Sequence, residues 1–272
     1  MGYYTYNFKP FNQMQIIRFS RRNAPPEYGW IYGEQVGRLS AAPFGAYRRL
    51  EADIPLNELR LLAPVRPGKI IAIGRNYPEH AREHEVEIPE VPLLFLKPPS
   101  SVIAHNDKII LPPQSRRVEH EVELAVVIGR QGRWINIQHV RDHILGYTIA
   151  NDVTARDLQR RDGQWTRAKG FDTFCPLGPW IETDLDPSDL MVTCRVNGQL
   201  RQMSSTREMV FNIPQLVVYI SSIMTLEPGD VILTGTPAGV DEITSGDEVE
   251  CEVEGIGVLR NPAEVEARLP GL

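Results

Sequence analysis

The sequence predicts a mixed α/β protein that is mainly β, with a small β-rich N-terminal domain over residues 1–65 and a larger domain over residues 66–272. The larger part of the chain contains short apolar runs with the length and β-branched content of buried strands, among them IIAIG, LLFLK and LAVVIG. Few of its segments show helical periodicity, whereas the first part has short alternating segments separated by turn residues. Pro64 and Pro67 indicate a linker between the two parts.

The composition excludes several functional classes. Hydrophobic residues make up 42% of the 272 residues and charged residues 24%, as in ordinary globular proteins. The net charge of −6 and the lack of a basic block argue against a nucleic-acid partner. No apolar run is long enough to span a membrane, and residues 1–13 lack the basic start and apolar centre of a signal peptide, so we expect no membrane partner. Three cysteines without C-x-x-C spacing predict a reducing cytoplasm and argue against a structural zinc site.

The N-terminal part is predicted to contain three strands and one helical turn. QIIRFS alternates apolar and polar residues, Gly33 and Glu34 divide GWIYGEQVGRL into two strands, and residues 56–62 are expected to form the turn. No group of residues in this part indicates chemistry.

The run GKIIAIG is predicted to be a buried strand that leads into a polar helix. Pro78 favours the first turn of this helix, which is expected to end before Pro89. His80 is three residues before Glu83 and four before His84, so each pair can meet on one helix face. A carboxylate beside an imidazole fixes its tautomer and raises its basicity, which suits a general base. A solvated polar helix is the alternative, and the low apolar content also fits a mobile lid.

Three carboxylates lead into the apolar run LAVVI. Glu119, Glu121 and Glu123 alternate with other residues, so on one strand they would point to the same face. Unpaired buried carboxylates are costly, and a hard cation such as Mg²⁺ or Mn²⁺ would compensate them. Asp152 ends another apolar run, ILGYTIAN, and could supply a third ligand. The alternatives are a solvated edge strand for the glutamates and a helix N-cap for Asp152.

The remaining segments are predicted to be a loop, a hairpin, a helix and the last strands. RRDGQWTRAKGFDTFCPLGPW is interpreted as an ordered loop that carries Lys169. LMVTCRVNGQLRQ is predicted to be a hairpin that turns at Asn197 and Gly198. IPQLVVYISSIMTL is predicted to be a helix that starts at Pro214 and packs against the sheet. VILTG and VECEVEGIGVLRN are interpreted as strands, and Thr236 lies in the loop between them.

Taken together and in order, these segments resemble the fumarylacetoacetate hydrolase family from about residue 68 to residue 260. The matching stretches are GRNYPEHAREH (74–84), LFLKP (94–98), HEVELAVVIG (120–129), NDVTARDLQ (151–159), AKGFD (168–172), VNGQLRQ (196–202), PGDVILTGTPAGV (228–240) and GDEVECEVEGIG (246–257). Each stretch is weak evidence alone, but the ordered set is specific. The resemblance implies a strongly curved, rolled mixed sheet in the C-terminal domain and a homodimer.

The resemblance also implies the roles of individual residues. The family motif H-E-x-E places two metal ligands on Glu121 and Glu123 and leaves Glu119 outside, and the third ligand falls on Asp152. The implied catalytic residues are His80, Glu83 and Lys169. The implied substrate-binding residues are Arg75, Arg156, Gln159 and Thr236.

The function that the resemblance implies is that of a Mg²⁺- or Mn²⁺-dependent enzyme in the cytoplasm that acts on a small 2-oxo acid. The expected reaction is C–C bond hydrolysis or decarboxylation through a metal-held enolate, with an acylpyruvate or oxaloacetate type of substrate. The first alternative is an isomerase of 2-hydroxyhepta-2,4-diene-1,7-dioate in aromatic catabolism. A non-enzymatic ligand-binding module is the second alternative, but none of the implied ligands is missing from the sequence.

Overall fold

The computed structural model describes residues 14–21 and 24–267. Residues 1–13, where no signal peptide is expected, and residues 268–272 lie outside this description. The two predicted domains are therefore described over 14–65, apart from residues 22–23, and over 66–267.

Strands predominate in the described residues, and four α-helices accompany them. The first ten strands are β1 Gln15–Ser20, β2 Glu27–Tyr32, β3 Gln35–Leu39, β4 Arg49–Pro55, β5 Arg60–Leu62, β6 Ile70–Gly74, β7 Leu93–Lys97, β8 Val102–Ile103, β9 Ile109–Leu111 and β10 Val118–Glu119. The later strands are β11 Val122–Ile128, β12 Ile144–Asn151, β13 Thr154–Ala155, β14 Cys175–Glu182, β15 Met191–Val196, β16 Gln199–Ser205, β17 Val231–Leu233, β18 Glu248–Val253 and β19 Gly257–Val265. The α-helices are α1 Pro78–Glu83, α2 Arg156–Asp162, α3 Thr166–Lys169 and α4 Ile213–Ile223, and short 3₁₀ helices cover Leu56–Glu58, Pro99–Ser101, Ile137–His143 and Thr206–Glu208.

The largest sheet in the described part of the chain has 12 strands, and it is mixed and not closed. Its order is β4-β3-β2-β1-β14-β12-β11-β17-β6-β7, with β5 on β1 and β8 on β14. A second sheet has the order β16-β15-β18-β19-β9, and β10 pairs with β13 in a two-stranded ribbon. The predicted mainly β fold with few helices is confirmed.

Strand β11 lies in the middle of the large sheet because both of its faces are apolar. Its even-numbered side chains from Val122 to Ile128 pack in one core with the second sheet and α4. Ala125 and Val127 point the other way and pack with residues of β1, β6, β14 and β17. A strand that is buried on both faces appears in the sequence as a continuous apolar run, as predicted here.

The N-terminal strands extend the large sheet. β1 pairs antiparallel with β14, with Gln15 opposite Glu182 and Ile16 opposite Ile181. The three predicted N-terminal strands are confirmed, and the predicted boundary near residue 65 remains a prediction. The predicted helical turn over 56–62 is only partly right, since a single 3₁₀ turn is followed by β5.

Helix α1 begins at Pro78 as predicted but ends at Glu83, well before Pro89. Glu85 follows the helix with a left-handed φ of 54°. The Glu85 amide donates to the carbonyl three residues back, and the Val86 amide to the carbonyl five residues back. This is a Schellman-type helix end, with a glutamate at the position that glycine usually occupies.

The predicted hairpin and long helix are confirmed, but the predicted loop over 160–180 is wrong. Asn197 and Gly198, both at positive φ, join β15 and β16. Helix α4 is capped by Asn212 and buries its apolar face in the core. The supposed loop instead contains α3 and the eight-residue strand β14, whose Gly and Pro residues hide its strand character in the sequence. Among the described helices, none is long and apolar enough to cross a membrane.

Candidate active site

Three buried carboxylates converge where β11 begins and β12 ends. The antiparallel pairing of these strands places Val122 opposite Asn151, so Glu121 and Asp152 are adjacent. The Asp152 amide donates to the Glu121 carbonyl at 2.8 Å. Carboxylate oxygens of Glu121, Glu123 and Asp152 lie within 4.8 Å of one another, and each residue is at most 4% exposed. The structure therefore brings the three predicted ligands together.

Glu119 lies outside this cluster, as the family motif implied. The expectation that all three glutamates share one strand face is wrong, because β10 ends at Glu119 and β11 starts only at Val122. The Glu119 carboxylate instead accepts hydrogen bonds from Arg117 Nε at 2.5 Å and Arg156 Nε at 2.6 Å. The solvated-edge alternative is also wrong, since these glutamates are buried.

Asp152 does not cap the following helix. Helix α2 begins at Arg156, and its N-cap position, Ala155, has no side-chain hydrogen bond. The Asp152 carboxylate instead binds Lys169 Nζ through Oδ2 at 2.5 Å and Lys97 Nζ through Oδ1 at 2.6 Å. Two buried ammonium groups thus bind this carboxylate through one oxygen each.

Glu121 is also held by two cations. Its Oε2 accepts from Lys169 Nζ at 2.7 Å and its Oε1 from Arg156 Nη2 at 2.5 Å. Burial alone would raise the pKa of Glu121, but Lys169 and Arg156 outweigh burial and hold that pKa well below its usual range. Lys169 and Arg156 therefore favour the ionised form of Glu121.

Glu123 has the opposite electrostatic environment. It accepts a hydrogen bond from the Gly235 amide at 2.6 Å. Burial, together with the charges of Asp152 and Glu121, raises the pKa of Glu123 well above its usual range. One further positive charge at this cluster would offset the repulsion between Glu123 and the two neighbouring carboxylates. An all-oxygen donor set in which Glu123 forms no ion pair with a described residue fits a hard divalent cation such as Mg²⁺ or Mn²⁺.

The cluster forms one wall of a cavity of about 200 Å³. Every predicted site residue except Glu83 lines it. These residues are Arg75, His80, Glu121, Glu123, Asp152, Arg156, Gln159, Lys169 and Thr236. Arg75 has a left-handed φ of 59°, a conformation that costs a non-glycine residue about 1 kcal/mol or more and is common at functional sites.

Glu83 lies behind His80, in the position of an orienting carboxylate. The distance from His80 Nδ1 to Glu83 Oε2 is 3.3 Å, and the Gly239 amide donates to the same carboxylate at 3.1 Å. Burial would raise the pKa of Glu83, but the hydrogen bonds from His80 and Gly239 lower it. Burial, Arg156 and His80 lower the pKa of the neighbouring His84 to about 4.

The expectation that this helix carries little apolar surface holds only beyond its first turn. Tyr77 and Ala81 are almost fully buried, and Asn76 donates to the carbonyls of Phe211 and Thr234. The first turn is thus anchored to the core, and only the residues after it are suited to move.

Lys97 is a site residue that the sequence reasoning missed. It is 1% exposed, and besides Asp152 its Nζ donates to the Lys169 carbonyl at 2.6 Å. The sequence does contain a signal for this residue: one of the few lysines of the chain ends the apolar run LLFLK. A strand that ends in a buried lysine needs an anionic partner.

Gln202 is the second missed residue, and it organises the loop behind the cluster. Its Oε1 contacts His120 Nδ1 at 2.9 Å and accepts from the Val122 amide at 3.1 Å. Its Nε2 donates to Thr236 Oγ1 at 2.8 Å and to the Pro237 carbonyl at 2.7 Å. The Thr236 hydroxyl in turn donates to the Val122 carbonyl. Thr236 therefore lines the cavity with a hydroxyl that is already engaged.

Comparison with known proteins shows which family the chain is similar to. The family model "Fumarylacetoacetate (FAA) hydrolase C-terminal" matches residues 69–264, and the model "Rv2993c-like, N-terminal" matches residues 14–64. The chain is 58% identical over 216 residues to the uncharacterised protein MJ1656 of Methanocaldococcus jannaschii, covering 77% of this chain and 91% of that protein. It is 46% identical over 231 residues to the mitochondrial oxaloacetate tautomerase Fahd2a of Rattus norvegicus, covering 79% of this chain and 74% of that protein.

A solved structure shows the same fold. The crystal structure of 2-hydroxyhepta-2,4-diene-1,7-dioate isomerase from Mycobacterium marinum matches with a TM-score of 0.87 and 42% identity, over 94% of this chain and 100% of that one. Family model, sequence relatives and fold agree over the catalytic region. The chain belongs to the fumarylacetoacetate hydrolase family.

Proposed function

We propose that the protein is a metal-dependent enzyme that converts a small 2-oxo acid by C–C bond hydrolysis or decarboxylation. The observation that carries the proposal is the buried cluster of Glu121, Glu123 and Asp152 with the Lys169 ammonium bound to two of its members. These three carboxylates would hold Mg²⁺ or Mn²⁺. When bound, the ion would supply Lewis-acid polarisation of the 2-oxo group.

Lys169 is suited to stabilise negative charge that develops on the substrate. Its Nζ lies between two carboxylates and is 5.2 Å from the Phe95 ring centroid, and the residue is 2% exposed. Its neighbours Asp152 and Glu121 outweigh burial and raise the pKa of Lys169, so it stays protonated. A preorganised cation in such a site stabilises an enolate more than water does.

His80 and Glu83 are suited to move a proton. Glu83 orients the imidazole through Nδ1, which leaves Nε2 as the nitrogen that faces away from the carboxylate. In hydrolysis, His80 would take a proton from the attacking water. Decarboxylation of an oxaloacetate-like substrate needs the enolate stabilisation of Lys169 but no such water.

The basic side chains of the cavity fit an acidic substrate. Arg75 and Arg160 line the cavity and would attract a substrate carboxylate. Arg156 is already engaged by Glu119, Glu121 and Gln159, so it orients the carboxylate cluster as well as lining the cavity.

A second candidate reaction is proton transfer without bond cleavage, as in a tautomerase or isomerase. The names of relatives favour it, since one is an oxaloacetate tautomerase and a structural neighbour is a diene-dioate isomerase. The same site would serve, with His80 moving a proton next to the enolate.

A homodimer is proposed by analogy with the family, and sedimentation at micromolar concentration would test it.

The decisive experiment assays two variants on two substrates with Mg²⁺ saturating. Lys169→Ala should impair acylpyruvate hydrolysis and oxaloacetate decarboxylation alike, each by roughly 100-fold or more. His80→Ala should lose hydrolysis by roughly 100-fold but keep much of the decarboxylation. EDTA should abolish both reactions in the unmodified protein.

Three results would overturn the proposal or change the role or reaction that it assigns. Activity that resists EDTA would exclude the metal. Equal losses for both variants on both substrates would make His80 a residue that organises the site. Full hydrolysis by His80→Ala, with enol–keto exchange of oxaloacetate lost, would favour the tautomerase reading.

A further inference from the structure

We propose that His80, Glu83 and His84 form a second metal site, of the transition-metal type and best suited to Zn²⁺. It lies on helix α1 and at its C-terminal cap, and it shares no ligand with the carboxylate cluster. Two imidazoles and a carboxylate are the donor set of many catalytic zinc sites, which keep the fourth position open.

The three side chains already converge. One ligand atom from each lies within 4.8 Å of the others. His80 Nδ1 is 3.3 Å from Glu83 Oε2, and the His80 and His84 rings meet edge to face with centroids 4.6 Å apart. Zinc–nitrogen bonds of about 2.0–2.1 Å imply ligand atoms about 3.3 Å apart around a tetrahedral ion. His84 must therefore move inward by at most about 1.5 Å, which a half-buried residue at a helix end can do.

A second, independent observation also indicates a missing ligand. His84 Nε2 is buried, and among the described residues it has no hydrogen-bond partner. A buried polar nitrogen without a partner is unfavourable, and coordination would satisfy it. The Gly239 amide donates to the Glu83 carboxylate and holds it in place without a metal.

The sequence contains a similar pattern elsewhere, and the structure separates the two. His139, Asp142 and His143 repeat the spacing H-x-x-acid-H, but they lie on the 3₁₀ helix Ile137–His143. With three residues per turn, positions four apart do not share a face. His143 Nδ1 contacts the Arg130 carbonyl, and in the described part of the chain the ligand atoms of this trio do not all lie within 4.8 Å of one another.

The two metal sites should be separately addressable. Imidazole ligands favour Zn²⁺, whereas the carboxylate cluster offers only oxygen and suits Mg²⁺. His80 and His84 line the same cavity as Glu121. Zinc on His80 Nδ1 would leave the imidazole proton on Nε2, so this nitrogen could no longer accept a proton from water and hydrolysis should be inhibited. This last consequence rests on the proposed function, whereas binding itself does not.

The test is a competition for Zn²⁺ between the protein and a chromogenic chelator, with millimolar Mg²⁺ present and no substrate. The full chain should bind one zinc ion. His84→Gln should weaken this binding by at least tenfold, because even the loss of an outer-sphere partner costs roughly 10–100-fold. His143→Gln is the matched control and should bind as the unmodified protein does, and thermal unfolding should confirm that both variants are folded.

Zinc binding unchanged in His84→Gln, or competed away by Mg²⁺, would overturn the proposal and place the ion at the carboxylate cluster. Weaker binding in His143→Gln than in His84→Gln would also overturn the proposal, and it would assign the ion to the 3₁₀ helix. None of these measurements depends on turnover, so a failure here leaves the proposed function untouched.

Discussion

Replacing Lys97 by methionine should destabilise the protein strongly, because it leaves the Asp152 carboxylate with half of its charge compensation. Lys97 and Asp152 are each 1% exposed and are joined at 2.6 Å. Methionine fills a similar volume, so the change removes the charge without opening a large cavity. Lys169 remains as the second partner of Asp152.

The expected magnitude follows from burial. Removing one partner of a buried ion pair costs roughly 3–5 kcal/mol, because the remaining charge stays in the interior. At about 2.1 cal/mol/K per residue, a chain of 272 residues has an unfolding entropy of about 0.57 kcal/mol/K. Dividing the first by the second gives a fall in Tm of roughly 5–9 °C.

Thermal unfolding with and without Mg²⁺ is the assay, and Lys69→Met is the matched control. Lys69 also pairs with a buried carboxylate, that of Asp230, but it is 26% exposed and lies apart from the cluster. Its loss should therefore cost less. Mg²⁺ should recover part of the stability of Lys97→Met, because a dication returns positive charge to Asp152, and it should not restore Lys69→Met beyond its effect on the unmodified protein.

Equal losses in the two variants, with equal responses to Mg²⁺, would refute this reasoning. That result would mean that Lys97 acts only through packing and that Asp152 does not face the metal site. A variant as stable as the unmodified protein would refute the buried-pair estimate itself.

Three other outcomes are expected. Amide hydrogens of residues 84–91 should exchange faster than those of strand β11, while Ala81 stays protected; uniform protection would exclude a lid. Gln202→Leu should lower the free energy of unfolding by roughly 2–6 kcal/mol, because it leaves at least two buried donors without a partner at 1–3 kcal/mol each. A loss below about 1 kcal/mol in urea unfolding would show that water replaces the amide. Glu85→Gly should raise stability by about 0.5–1 kcal/mol through relief of its left-handed backbone, whereas Glu85→Ala should bring no gain in the same measurement.

Strands and the carboxylate cluster were predictable from the sequence because their signals are local. An apolar run such as LAVVI shows a buried strand, and two glutamates two residues apart show a shared face. The break before β11 was not predictable, because it arises from the pairing of β10 with β13. Lys97 and Gln202 were missed because their partners are 55 and 80 residues away in the chain. The left-handed residue just past the end of α1, Glu85, was missed because glutamate does not mark such a position.

The pairing of β1 with β14 has a consequence for any attempt to produce the catalytic region alone. β14 has eight residues, seven of them buried, and β1 pairs with its last two residues, Ile181 and Glu182. A chain that began near residue 66 would present unpaired backbone groups at that end of β14, next to apolar side chains. Such an edge recruits strands from other molecules. The N-terminal strands thus act as a built-in protection against aggregation, and a shortened chain should precipitate even though every residue of the cavity is retained.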